Sequence, residues 1–193
     1  MSTTIHSFDD AQEQWLTRYY FARALFSLIW VAAAFSIGLK DAAIAGVLLV
    51  IYPAWDACAN WADGAASGGL SRNRTQRINL WVSGLTALAV ALALGSGMNA
   101  VIGVIGAWAI VSGLLQLGTA VRRWKTLGAQ WIMVLSGAQS ALAGGFFFAQ
   151  SRMATPPQIA KVAGYAAVGA LYFLISGIWL TVRRVLRGKR QAS

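Results

Sequence analysis

One cysteine, one histidine, three prolines and six acidic residues are all that 193 positions hold of those types. A lone Cys58 excludes an intrachain disulfide and leaves the redox compartment unreadable. The only histidine, His6, sits in a polar N-terminal stretch, so the sequence offers no multi-ligand zinc or haem site. Charged residues make up 11% of the chain, against the roughly one quarter that a water-soluble domain carries. A nucleophile–base pair, a Walker loop, a dinucleotide fingerprint and a zinc-binding histidine pair are all missing. The sequence therefore predicts no enzyme, no cofactor, and no catalytic, cofactor-binding or metal residue.

What remains is apolar: 58% hydrophobic residues at a mean hydropathy of +0.58. Six windows reach the about 20 residues needed to cross a bilayer as helices, near 19–38, 42–61, 78–95, 99–119, 129–148 and 159–182. Their apolar runs do not alternate, and hydrocarbon tolerates no unpaired backbone, so helices are expected rather than strands. The predicted fold is all-α: a polytopic membrane protein forming a single six-helix domain over 1–193. Its flanks are a polar N-terminal segment, 1–17, and a basic C-terminal tail, 183–193. Residues 1–14 are polar and acidic, the wrong opening for a cleaved export signal, so the first span is expected to be an uncleaved anchor. Ser7 and Asp9 or Asp10 are candidate caps for the first helix, and 63–77 is the longest expected connection.

The formal net charge of +10 is laid out by membrane side. Thirteen of the sixteen Lys and Arg fall in the N-terminus, the even-numbered connections and the C-terminus. They are Arg18, Arg23, Arg72, Arg74, Arg77, Arg122, Arg123, Lys125, Arg183, Arg184, Arg187, Lys189 and Arg190; only Lys40, Arg152 and Lys161 fall opposite. Basic loops stay in the cytoplasm, which predicts that both termini are cytoplasmic. A nucleic-acid stripe would need a soluble module with aromatic platforms, so no nucleic-acid partner is expected. The expected partners are the lipid bilayer and, through small-residue helix faces, a second copy or another membrane protein.

The spans are one helical hairpin written three times, at about 19–61, 78–119 and 129–182. The second helices share an aromatic–Ser/Asp–small motif: Tyr52 with Asp56-Ala57, Trp108 with Ser112-Gly113, and Tyr172 with Ser176-Gly177. The first helices share Arg23-Ala24, Ser83-Gly84 and Ser136-Gly137. Every copy enters and leaves on the same side, so the repeats are parallel, related by an axis along the membrane normal. Only the first copy is charged at the marker positions.

Asp56 reads as the one acid within the hydrocarbon, where a carboxylate costs several kcal/mol unless it pairs. It lies over the turn carrying Tyr52 and Pro53, and Pro53 frees a backbone carbonyl there. Arg23 falls at similar depth on the antiparallel neighbour. The expected polar notch is thus Arg23, Tyr52, Pro53 and Asp56, with an intramembrane ion pair replaced in the other copies by Ser83/Ser112 and Ser136/Ser176. A buried pair of this kind is more often a packing device than a proton relay. Gln116 and Gln139 are expected to hydrogen-bond between helices. Helix packing is expected at two ridges of the fifth span, Ser136–Ser140–Gly144 and Gly137–Ala141–Gly145.

The three-hairpin layout, with Tyr52-Pro-Ala-Trp-Asp56-Ala-Cys58, Trp108-Ala-Ile-Val-Ser112-Gly-Leu-Leu-Gln116 and the small-residue run from Leu135 to Gly145, resembles the HdeD-like acid-resistance membrane proteins of bacteria. The resemblance covers roughly 18–184. It implies a bacterial inner-membrane protein with a role in acid or other stress, and it brings no catalytic residues. Three readings follow: a non-catalytic accessory protein of that type, a small proton or solute channel or transporter using the Arg23/Asp56 notch, and a membrane assembly partner.

Overall fold

A computed structural model describes the backbone over 2–125 and 130–191 and the side chains over 11–125 and 130–187. Ala129, the expected start of the fifth span, and the side chains of His6, Ser7, Asp9, Asp10, Lys189 and Arg190 lie outside the described residues. The described chain is all helix and turn, and six of its helices are long and apolar enough to cross a membrane.

The first helix, α1, runs Ser2–Ala33 and ends in a π-helical turn, Ala34–Gly38. It starts earlier than the polar flank and candidate caps suggested, with helical backbone already running through Ser7, Asp9 and Asp10. The extension has a partner. α6, Ile159–Gln191, likewise outruns its expected span through the basic tail, and the two helices pack together along their length. Leu16 and Leu180 are fully buried in one cluster with Tyr20 and Phe173, and Arg187 forms an ion pair with Glu13. Packing of this kind, rather than intrinsic propensity, carries most helical stability.

α2, Ala42–Ala66, opens on Asp41, whose carboxylate accepts from the backbone N–H of Ala43 at 2.8 Å and Ile44 at 3.0 Å. This side-chain cap satisfies two of the donors a helix start leaves over. α2 continues past its expected end, so the connection to α3, Arg74–Ala93, shrinks to 67–73. Gly68 and Gly69, both at φ 93°, make that short turn in a region where other residues are strained. A 3₁₀ turn, Leu94–Ser96, leads to α4, Met98–Arg123, and α5 covers Gln130–Gln150.

The six helices form a closed ring: each packs on its chain neighbours, and α6 returns to α1. The seams alternate. α2–α3, α4–α5 and α6–α1 are extensive, whereas α1–α2, α3–α4 and α5–α6 are thinner. The packing unit is therefore offset by one helix from the hairpin repeat read in the sequence. The repeat markers explain this, because each second-helix marker faces the first-helix marker of the next copy. Asp56 meets Ser83. Gly113 meets Gly137 so closely that an added Cβ on Gly113 would lie 2.6 Å from the Gly137 carbonyl. Gly177 meets the Phe21 ring beside Arg23.

Those approaches also correct the ridges expected on α5. Gly137 and Gly144 lie against Gly113 and Gly106 of α4, with Ser140 between them and Ala141 backbone close to Gly113. Gly145 has open space where a side chain would stand, so it belongs to no internal seam. The contact face follows the i, i+3, i+7 stripe of a helix rather than a strict step of four.

The core is split along the ring axis. Toward the less basic face every helix contributes to one apolar cluster, among them Trp30, Leu49, Val90, Ile102, Ile105, Phe147 and Val162. A smaller cluster around Leu16 and Phe173 lies toward the basic face. Polar side chains fill the level between and beside them.

Candidate functional site

The polar interior is built first from α2 and α3. Asp56, Asn60 and Asp63 stand at i, i+4 and i+7 of α2, one face of a helix. Facing them on antiparallel α3 are Ser83, Asn79 and Gln76, with the same spacings reversed. Three rungs result: Ser83 Oγ donates to Asp56 Oδ2 at 2.8 Å, Asn79 Nδ2 to Asn60 Oδ1 at 3.1 Å, and Gln76 Nε2 to Asp63 Oδ2 at 3.2 Å. Asn60 Nδ2 also donates to Asp56 Oδ2 at 3.0 Å. Buried polar groups are tolerated only when so partnered.

Arg23 crosses the thin α1–α2 seam to form an ion pair with Asp56. Its guanidinium also donates to the Tyr19 hydroxyl at 2.9 Å and lies over the Phe173 ring, 4.4 Å from its centroid. The carboxylate thus accepts from Arg23, Asn60 and Ser83, and the guanidinium has a carboxylate, a hydroxyl and a ring face. The pair is compensated from every side, which a buried ion pair requires to be tolerated at all. It joins the α6–α1 unit to the α2–α3 unit like a clasp. Aromatic contacts continue the seam outward: Phe26 stacks on Trp55 at 4.4 Å, and Trp30 packs on Tyr52 at 4.7 Å. Trp30 Nε1 donates to the Leu48 carbonyl at 2.7 Å.

Of the expected notch, Arg23, Tyr52 and Asp56 line one cavity, while Pro53 is fully buried and is not part of that lining. The seryl equivalents behave differently from the substitution pattern read in the sequence. Ser83 serves Asp56 itself and accepts from Trp108 Nε1 at 3.0 Å. The buried Ser112 and Ser176 hydroxyls have no hydrogen-bond partner among the described residues. Ser136 is buried and faces the ring interior with Ser140 and Gln139. The offset of the packing unit is the reason, since the second-helix markers pack on the following copy, and only Asp56 also reaches back to its own hairpin, through Arg23.

Two further acids are buried, correcting the expectation that Asp56 stands alone. Asp63 is 3% exposed and Glu13 5% exposed, because helices extend over stretches read as connection and tail. Asp63 accepts from Arg123, at the end of α4, at 3.0 Å. Arg123 also reaches Ser67 Oγ at 3.3 Å, which places a second ion pair at the basic mouth. The polar spacing 56–60–63 against 76–79–83 was visible in the sequence, and it would have identified Asn60, Asp63, Gln76 and Asn79.

Two cavities lie along the ring axis. The outer one, toward the basic face, has a volume of about 50 Å³ and is bordered by Asp63, Arg123, Gln76, Gln130, Thr119 and Tyr19 among others. The inner one, about 40 Å³, is bordered by Asp56, Tyr52, Trp55, Ser112, Gln139, Ser140 and Tyr165 among others. Arg23, Asn79, Gln116 and Phe173 border both. Gln116 bonds between helices as expected, donating to the Met133 carbonyl at 3.3 Å. Ser140 and Tyr165 share a hydrogen bond of 2.7 Å at the inner wall. Beyond them the apolar cluster closes the ring.

Among the described residues, no three His, Cys, Asp or Glu side chains gather as a metal site. What the site offers is a polar interior lined from all six helices, with the Asp63–Arg123 pair beside the outer cavity and the Arg23–Asp56 pair beside the inner one. Compared with protein-family models, curated proteins and solved structures, the chain finds no match.

Proposed function

We propose that this chain is a non-catalytic inner-membrane protein of bacterial type that handles protons or a small polar solute in its polar interior. One observation carries the reading: Arg23 borders both cavities and is ion-paired with Asp56 on the wall of the inner one. Ionisable groups held inside a membrane bundle generally mark a pathway or a counter-ion site. A clasp alone would need neither cavity, and still less a second ion pair, Asp63–Arg123, at the mouth. The parallel repeats argue against the rocking of inverted halves, so passage would proceed by exchange of side-chain partners within the ring. The resemblance to HdeD-like proteins supplies acid stress as the physiological setting.

In the proposed orientation the basic face is cytoplasmic. A reporter fused after Ser193 is expected to be active in the cytoplasm and one inserted at Ser96 in the periplasm; the reverse pattern would overturn it. The functional test is flux through purified chain in vesicles, read as internal acidification and as swelling in small neutral solutes. Flux above that of lipid-only vesicles, abolished in Asp56→Asn, is expected. Wild-type vesicles as tight as lipid alone would reject the transport reading.

A further inference from the structure

Among the described residues, four of the buried side chains with a polar atom lacking a hydrogen-bond partner border the cavities. Gln76 Oε1 and Asn79 Oδ1 border the outer cavity, and Asn79 Oδ1, Trp55 Nε1 and Ser112 Oγ border the inner one. An unsatisfied buried donor or acceptor costs about 1–3 kcal/mol, so several at one place call for a common partner. The set mixes donors and acceptors. A cation would satisfy only the acceptors and would be repelled by Arg23, while an anion would meet carbonyl oxygens and Asp56. Water satisfies both kinds at once.

The sizes agree with water. A buried water needs about 10–15 Å³ of cavity and two to four polar neighbours. The cavities, about 40 and 50 Å³, each take roughly three molecules on that scale. The border they share, a collar, is polar on three sides, being made of Arg23, Asn79, Gln116 and the Phe173 ring. Past Ser140 and Tyr165 the apolar cluster takes over, with Ile102, Ile105, Phe147 and Val162 buried in it.

We propose that the two cavities form a shaft holding a one-sided file of about six waters, running from the Asp63–Arg123 mouth through the Arg23 collar to Tyr165 and stopped at the apolar cluster. This rests on the proposed function and deepens it. The resting contents of the shaft are water, reached from the basic side only. A small solute would enter only by displacing waters already hydrogen-bonded to the walls.

Hydroxyl-radical footprinting by X-ray radiolysis in vesicles tests this, because radicals form from waters held against a side chain. Two tryptophans form a matched pair. Both belong to the apolar cluster, but only Trp108 also borders the inner cavity. They are 5% and 2% exposed, and each indole N–H is hydrogen-bonded. Trp108 is expected to be oxidised several-fold faster than Trp30, and Gln139→Leu, which removes an inner-wall amide, to slow Trp108 alone. Equal slow rates would overturn the file, equal fast rates would overturn its one-sidedness, and a Trp108 rate unmoved by Gln139→Leu would remove the inner waters from it. A fast Trp108 in vesicles without flux would reject the transport reading and leave the file standing. Flux with a silent Trp108 would do the opposite.

Discussion

Gly113→Ala is expected to abolish most of the folded protein, although it adds one methyl group. That methyl would sit 2.6 Å from the Gly137 carbonyl oxygen and 2.8 Å from the Ala141 nitrogen. Neither neighbour is a flexible side chain, so α4 and α5 would have to separate along their whole seam. Gly144→Ala meets the same obstacle, 2.5 Å from the Gly106 carbonyl. Overpacking a tight contact typically costs about 1–3 kcal/mol, and backbone-to-backbone contact leaves no cheap relaxation. In membranes, where lipid is as apolar as leucine, close approach of this kind is itself a main source of helix association. Gly145→Ala, one residue further along α5, is the control. Its Cβ would meet open space, and its yield in detergent, followed by size-exclusion profile and thermal scan, is expected to match wild type. Equal losses in both variants would overturn the α4–α5 seam described above.

The second large effect belongs to the clasp. Removing one member of a buried pair leaves the other charge uncompensated and typically costs about 3–5 kcal/mol. Arg23→Met strands the Asp56 carboxylate with only its Ser83 and Asn60 donors, and Asp56→Leu strands the guanidinium against Phe173. Each single variant is expected to lose stability strongly in reversible unfolding, whereas the double variant is expected to recover a large part of the loss. The coupling in that cycle reads the pair directly. Purely additive losses would mean that Arg23 and Asp56 act independently. Since the double variant keeps apolar bulk across the thin α1–α2 seam, it also gives a folded protein in which flux can be measured without the charges.

Much of this was legible before any coordinates. The six spans follow from length and hydropathy, and the Arg23–Asp56 pair from depth matching on antiparallel helices. Gln116 also bonds across helices as its position suggested. What the sequence hid has two physical causes. Helix ends were drawn where hydropathy falls, but α1, α2 and α6 continue into polar stretches because those stretches have polar partners inside the ring. That error put Asp63 in a connection and Glu13 in a tail. The other cause is that a repeat shows equivalent positions without showing which copy each one faces. Reading Ser83 beside Ser112 assumed hairpin packing, and the ring places Ser83 beside Asp56 instead. The ladder 56–60–63 against 76–79–83 was readable as periodicity within apolar surroundings, and it required only that amides be weighed with acids.

The offset between repeat and packing unit has a consequence for biosynthesis. A chain inserted helix by helix completes α2–α3 and α4–α5 as soon as their second members arrive, since each pair is contiguous. α1 has no such luck: its extensive partner is α6, the last helix made, and Glu13 waits 174 positions for Arg187. Until then only the thin contact with α2 can hold it, so the Arg23–Asp56 pair is also the mooring that keeps the first helix beside its siblings while the rest of the protein is still being synthesised.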